Sequence, residues 1–483
     1  MVAGENHDSG IAAKLINQGI IKVTDDHRQP SILPLSNFDR LMGGFPVTIF
    51  YAYRKPSTGD FDSIVAAIKT SLSETLTHFY PFAGRIVRNS ATGEAEILCN
   101  NAGINFMEAR ASVPLATLDF HDQNQSIRKV LLPVLPEHPL SVQVTGYTCG
   151  GFSVAWCFDH RLADATAFIK FLNSWSQIAR AEQVSSVAIN HDRSIFRPRS
   201  PPLYGPSVGR TYTVCTMDDI LSMPPNGISQ KRSYYVEGPC LERLREASSR
   251  GVSKRTRTEA LSAYLWKVMA RACGGGDSNN RCKMGWLIDG RRRMAARNHD
   301  DSMSNYVGNV VSIAVGEESA QELKHRPLSH VAGIVSGAIT EAANDGHFLD
   351  LIDWIECHRP GMMLPELLLG LRVPALVVSS CHNMPVMAVD FGFGRPSLGM
   401  FYSTVDQIGA GYVNLVSSGR EDEGWLVSTF IWPELADALE SDPDHVFQPI
   451  TADHLGRSQR NFWTQAQLSL QIRPTYAAQV HPN

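Results

Sequence analysis

The chain has 483 residues, 43% of them apolar and 19% charged, with a formal net charge of −4. That length exceeds what a single core usually serves and suggests two domains. The near-neutral balance gives no reason to expect nucleic acid or an anionic membrane as partner, and nine scattered cysteines without paired spacing read as reduced thiols of the cytosol.

In chain order, residues 1–10 are polar and expected to be disordered, and no apolar run suggests a secretory signal there. Residues 20–23 and 47–53 read as strands. Residues 61–79 read as an amphipathic helix, with Ile64, Ile68, Leu72 and Leu76 on one face and Tyr80-Pro81 ending it. Thr92-Gly93-Glu94 reads as a hairpin turn between strands 84–87 and 95–99. Residues 141–147 and 152–158 read as strands joined at Gly150-Gly151. Phe168, Phe171, Leu172, Trp175 and Ile178 share the face of the helix that follows.

Residues 192–210 are rich in proline and arginine and lack periodicity. They read as an extended crossover rather than a phosphate patch. This gives a first domain at 1–191, a linker at 192–212 and a second domain at 213–483. In the second half, 233–236, 283–288, 375–380, 386–389, 411–416 and 425–431 read as strands. Residues 241–249, 257–272, 330–344 and 433–439 read as helices. The loop 273–280 lacks the Lys-Ser/Thr of a phosphate-binding loop and reads as a plain connector. The most apolar run, 364–378, is broken by Pro365, Arg372 and Pro374, too soon to span a bilayer. Strands and helices mix throughout, so the fold class is α/β with mixed β-sheets.

Two short stretches stand out. In Asp159-His160-Arg161-Leu162-Ala163-Asp164, a histidine closes an apolar strand and an aspartate follows where a helix begins. A strand-to-helix turn anchors a side chain on both sides, which suits a general base. Asp164 reads equally well as a plain N-cap. No His-x-x-His or Cys-x-x-Cys lies nearby to complete a metal site, and no Gly-x-Ser-x-Gly marks a serine hydrolase. Asp390-Phe391-Gly392-Phe393-Gly394 is the second stretch. No helix pattern follows it, because Pro396 comes at once, and the remaining kinase elements are missing. It reads as a structural turn: Gly392 and Gly394 permit unusual backbone angles, Asp390 ties the turn and two phenylalanines plug it.

His160-x-x-x-Asp164 and Asp390-Phe-Gly-Phe-Gly394 together resemble the two signatures, His-x-x-x-Asp and Asp-Phe-Gly-Trp-Gly, of the plant BAHD acyl-CoA-dependent acyltransferases. Leu35-Ser-Asn-Phe-Asp39, Phe79-Tyr-Pro-Phe-Ala-Gly-Arg85, Glu259-Ala-Leu-Ser-Ala-Tyr-Leu-Trp266, Asp289-Gly-Arg291 and Tyr306-Val-Gly-Asn309 also match family blocks in order. The set covers nearly the whole chain. Lys283-Met-Gly-Trp-Leu-Ile-Asp-Gly-Arg291 and Ala165 after the motif aspartate are most similar to the coniferyl alcohol acyltransferase branch.

The resemblance implies a fold like chloramphenicol acetyltransferase, with two domains and a solvent channel between them. It implies acyl-CoA as co-substrate, no bound cofactor and no metal. It implies transfer to the hydroxyl of a phenylpropanoid-type or other alcohol, with His160 as general base. An amine acceptor is the alternative, and a non-catalytic binding protein a third reading. Asp164 is expected to pair with an arginine of the Asp289-Gly-Arg291 block, and Asp390, Gly392 and Gly394 to support the fold. Ser253, Lys254, Thr256, Ser379 and Ser380 are expected at CoA, and Asn309, Cys381 and His382 at the acceptor. Cys381 replaces a tryptophan that helps hold the oxyanion in some members, so that donor is open. A cytoplasmic monomer is expected.

Overall fold

The computed structural model describes residues 10–454 except 25–26, 42, 183–188, 222–229, 252, 274–280, 299–300, 371–372, 404–408 and 452–453. The expectations of a disordered start over residues 1–9 and of a plain connector over 274–280 lie outside the described residues.

Two large sheets organise the chain. The first runs Ala13–Ile21, Ile104–Ala111, Leu140–Gly146, Phe152–Asp159, Pro46–Tyr53, Leu398–Tyr402. All its pairs are antiparallel except Ile104–Ala111 with Leu140–Gly146. The second runs Val311–Ser319, Arg281–Asp289, Ala375–Ser380, Gly411–Ser417, Trp425–Ile431, Gln230–Val236, Gln448–Pro449. Ala375–Ser380 pairs parallel with both its neighbours. Mixed sheets with helices give the α/β class read from the sequence.

Side-chain alternation sets which face is buried against what. On the first sheet, Ile49, Tyr51, Trp156 and Phe158 pack against the helices Phe61–His78 and Ala165–Ala179. On its other face, Phe50, Ala52, Ala155 and Met400 meet Tyr235 and Leu426 of the second sheet. The helices Gly238–Ser248, Arg257–Ala272 and Leu328–Ala342 cover the second sheet. A third core gathers Phe38, Phe196, Tyr306 and the helix Asp345–His358 where the two halves meet.

Most strands and helices fall where periodicity puts them, and four differences have physical causes. The first strand is Ala13–Ile21 rather than 20–23; it is a sheet edge exposed along nearly its whole length, so no burial pattern marks it. Residues 386–389 are not a strand: Val386–Ala388 is a short 3-10 turn after Pro385, which has no N–H to give a ladder. The crossover is not merely a spacer, because Arg193 is buried and donates to the carbonyls of Val307 at 2.7 Å and Leu162 at 3.3 Å. The fourth is Leu398–Tyr402, a strand from the second half that completes the first sheet by pairing with Pro46–Tyr53.

The chain reaches that strand through Asp390–Gly394. Gly392 and Gly394 have φ of 90° and 95°, where a side chain would be strained. One Asp390 oxygen accepts from both their N–H groups, at 2.8 and 3.0 Å. Phe391 sits in the first core, its ring centroid 4.9 Å from that of Trp175. Among the described residues no helix is long and apolar enough to cross a membrane.

A fragment ending at residue 212 lacks Leu398–Tyr402 and the Phe391 plug, leaving Pro46–Tyr53 as a bare edge. It is expected to aggregate on refolding alone, and co-expression with 213–483 to restore one cooperative transition. A soluble isolated fragment with cooperative unfolding would refute this dependence.

Candidate active site

His160 stands one residue beyond the strand Phe152–Asp159, and its N–H donates to the Phe45 carbonyl at 3.0 Å. The turn is rigid on both sides. Phe158 stacks on Phe168 of the following helix with centroids 3.8 Å apart and planes 8° off parallel. Asp164 caps that helix, accepting from the Ala167 N–H at 2.9 Å.

Both oxygens of Asp164 are engaged by hydrogen bonds. One of its oxygens accepts from Ala167 N and Arg291 Nη2, the latter at 3.0 Å; the other accepts from Arg291 Nη1 at 2.8 Å and Val310 N at 2.9 Å. Both partners are buried. Burial works against the Arg291 charge, but Asp164 and Asp289 outweigh it and hold the guanidinium above its ordinary pKa. Arg291 also donates to the Gly308 carbonyl at 2.9 Å. Asp289 accepts from Arg291 N at 2.8 Å and from Thr166 Oγ1 at 2.7 Å.

Behind the imidazole lies a second network. Asn309 Nδ2 donates to Asp39 Oδ1 and to the His160 carbonyl, each at 2.8 Å, and Asn309 N donates to the same Asp39 oxygen at 2.9 Å. A flipped amide would set oxygen against both acceptors, so the orientation is fixed. Asn309 Oδ1 therefore faces His160 Nδ1, 3.0 Å away, as an acceptor. In the neutral ring Nδ1 must carry the hydrogen, and Nε2 keeps a lone pair. Asp39 is fully buried, accepts from Ser36 N and Oγ, and pairs with Arg193 Nε at 3.3 Å.

A cavity of about 260 Å³ reaches the ring. The first half lines it with Phe45, Thr48 and His160, and the second with Val311, Ser379 and Tyr412, among others. Cys381 also lines it; burial pushes its thiol up to about 12, so it stays neutral and is a poor nucleophile. Burial likewise raises the Tyr412 phenol well above its ordinary range, so it remains a hydrogen donor.

Of the residues singled out in the sequence, His160, Asp164, Ser379, Ser380 and Cys381 line this cavity. Asn309 does not; it is wholly buried behind the ring, its amide committed to Asp39 and His160. His382 lies outside the lining too, with Nδ1 2.6 Å from Ser380 Oγ and its ring against Trp425. Ser253, Lys254 and Thr256 are exposed and also outside it. The Thr256 hydroxyl is committed to a capping box with Glu259. Sequence reasoning missed Arg193 and Tyr412, and it quoted Asp39 in a matching block without giving it a role. The only signal for Tyr412 was its place with Asn414 on one face of a predicted strand.

These geometric features have a family. The model of the Transferase family matches residues 14–446, and the chain belongs to that family, the BAHD acyltransferases. It is an acyl-CoA-dependent acyltransferase. The chain is 29% identical to the fatty alcohol:caffeoyl-CoA acyltransferase of Arabidopsis thaliana, over 75% of this chain and 82% of that one. It is 26% identical to agmatine hydroxycinnamoyltransferase 1 of Oryza sativa subsp. japonica, over 76% of this chain and 83% of the relative. Among solved structures it resembles vinorine synthase with a TM-score of 0.68 at 19% identity, covering 90% of this chain and 99% of the other.

Removing the Asp164 carboxylate leaves the buried Arg291 charge with only the partly exposed Asp289 as counter-ion and uncaps a helix. Asp164→Ala is expected to cost about 3–5 kcal/mol in chemical denaturation. A variant of undiminished stability would overturn the structural reading of this pair.

Proposed function

We propose that the enzyme moves an acyl group from a CoA thioester to the hydroxyl of a phenylpropanoid-type or other specialised-metabolite alcohol, with His160 as general base. The observation that carries this is the Asn309 contact: with Nδ1–H donated inward, Nε2 is the nitrogen left for the cavity. An alcohol is a poor nucleophile at neutral pH. Held against Nε2 it loses its proton as its oxygen attacks the thioester carbonyl. The C–O bond forms, the C–S bond breaks, and the imidazolium returns the proton to the CoA thiolate. Ser379, Ser380 and Tyr412 supply hydroxyls for the oxyanion where the tryptophan of other members is absent.

An amine acceptor is the second reading, and the rice agmatine relative favours it. The charge of the cavity favours an alcohol. Among the described residues, the carboxylates in its lining are Asp164 and Asp289, and both are already paired with Arg291. Neither is left to receive a cationic amine. The exposed Ser253 and Lys254 remain our proposed contacts for the CoA phosphates. We assign Asp390, Gly392 and Gly394 to fold support. We divide the chain as 1–191, 192–212 and 213–483, with 389–402 lent back to the first part. We keep a monomer and a cytoplasmic location as our reading, and the location accords with nine cysteines that form no disulfide.

Purified protein should release free thiol from acetyl- or hydroxycinnamoyl-CoA when offered alcohols, and less or none with amines. His160→Ala is expected to lower kcat by about 100- to 10,000-fold at an unchanged unfolding midpoint; unchanged turnover would remove His160 as the base. Cys381→Ser should retain transfer, whereas trapping an acyl group on Cys381 would replace direct attack with a covalent route.

A further inference from the structure

The cavity at His160 shares Pro46, Thr48 and Tyr402 with a second one of about 390 Å³, whose lining includes Gln143 and Cys157 of the first sheet and the segment 131–134. Thr48 therefore stands at the neck between them. Its strand, Pro46–Tyr53, is paired on both edges, with Thr48 opposite Cys157 on one side and Tyr402 on the other. Phe50 and Ala52, further along the same face, meet the second sheet, so the pleat turns the Thr48 side chain toward the second half as well. A β-branched side chain on a strand held at both edges has little torsional freedom. Its hydroxyl is presented at a fixed place.

That hydroxyl is idle in the fold. Thr48 is 2% exposed, and its Oγ1 has no hydrogen-bond partner among the described residues. Cys157, opposite it, offers only a thiol that burial keeps protonated, a weak partner for a hydroxyl. Other hydroxyls of the lining are occupied. Thr166 Oγ1 donates to Asp289 at 2.7 Å, and Ser380 Oγ lies 2.6 Å from His382 Nδ1. Among the described residues, no other polar side-chain atom in the lining of the His160 cavity is both buried and without a partner. A hydroxyl so placed costs its desolvation and returns nothing to the protein's own packing. Valine would fit the same strand, as Val47 and Ile49 do. The bond must come from what the cavity receives.

We infer that Thr48 is a specificity residue, whose hydroxyl bonds an oxygen carried by the substrate away from its reacting end. Phe45, whose carbonyl holds the His160 N–H, precedes Thr48 by three residues, which at about 3.3 Å per residue sets the hydroxyl about 10 Å along the strand from that anchor. This spacing suits the body of a substrate rather than its reacting carbonyl. The inference rests on acyl transfer at His160 and adds a preference for an oxygenated body, such as a phenylpropanoid with a ring hydroxyl. That oxygen can belong to the acyl donor or to the acceptor, and two arms of one experiment separate these sources.

The full-length enzyme is assayed by thiol release with 4-hydroxycinnamoyl-CoA against cinnamoyl-CoA, using hexanol. It is then assayed with 4-hydroxycinnamyl alcohol against cinnamyl alcohol, using acetyl-CoA. In one arm the hydroxylated member should have the higher kcat/KM. Thr48→Val should erase about tenfold of that preference, and Thr48→Ser should keep most of it. The unfolding midpoint of Thr48→Val should not fall, since no bond within the protein is lost; a marked fall would give the hydroxyl to the fold and overturn the inference. Equal kcat/KM for both members in both arms overturns it too, as does a preference untouched by Thr48→Val. So does a Thr48→Val loss that strikes every pair alike, which would put the hydroxyl on the reacting carbonyl. If no pair turns over, acyl transfer is the reading that fails. Equilibrium binding of the same four compounds then decides Thr48: tighter binding of a hydroxylated member, lost in Thr48→Val, supports it, and equal or absent binding overturns it.

Discussion

The buried pair between Asp164 and Arg291 is the contact on which the site depends. It joins the helix that follows His160 to the strand-end turn of the second sheet. Four hydrogen bonds converge on one carboxylate there, two from the guanidinium and two from backbone N–H groups of either half. A pair so enclosed adds little net stability over an apolar packing, but it is costly to break. Its value is positional: it fixes where the second half stands relative to the imidazole.

The polar chain behind the ring does a different job. Arg193, Asp39, Asn309 and His160 follow one another inward from the crossover. Each link constrains the next: the guanidinium places the carboxylate, the carboxylate orients the amide, and the amide selects the tautomer. The cavity thus receives a ring whose tautomer and orientation are fixed before any substrate arrives, which is preorganisation in the sense that matters for proton transfer. The crossover, proline-rich and irregular, is where this chain begins.

How much of this was legible in the residues depends on distance along the chain. The His160 turn was, because the strand, the motif and the amphipathic helix are contiguous and each has its own period. The Asp390–Gly394 turn was too, since glycines and an aspartate announce their geometry locally. The role of Asp39 was not: it stood out only as the last residue of a matching block, and its amide partner is 270 residues away. Arg193 looked like linker because its neighbours are linker. The strand Leu398–Tyr402 escaped because all five of its residues are buried, leaving no alternation to read. The edge strand Ala13–Ile21 escaped for the opposite reason.

The return of Leu398–Tyr402 to the first sheet has a further consequence. A clamshell with one hinge can gape; here the polypeptide passes between the halves at the crossover, comes back through Asp390–Gly394 and leaves again after Tyr402. Those stitches forbid wide parting without unzipping a sheet. Substrates must therefore reach the cavity without the halves swinging apart, and the size of what the enzyme can process is set by the room around His160 as it stands.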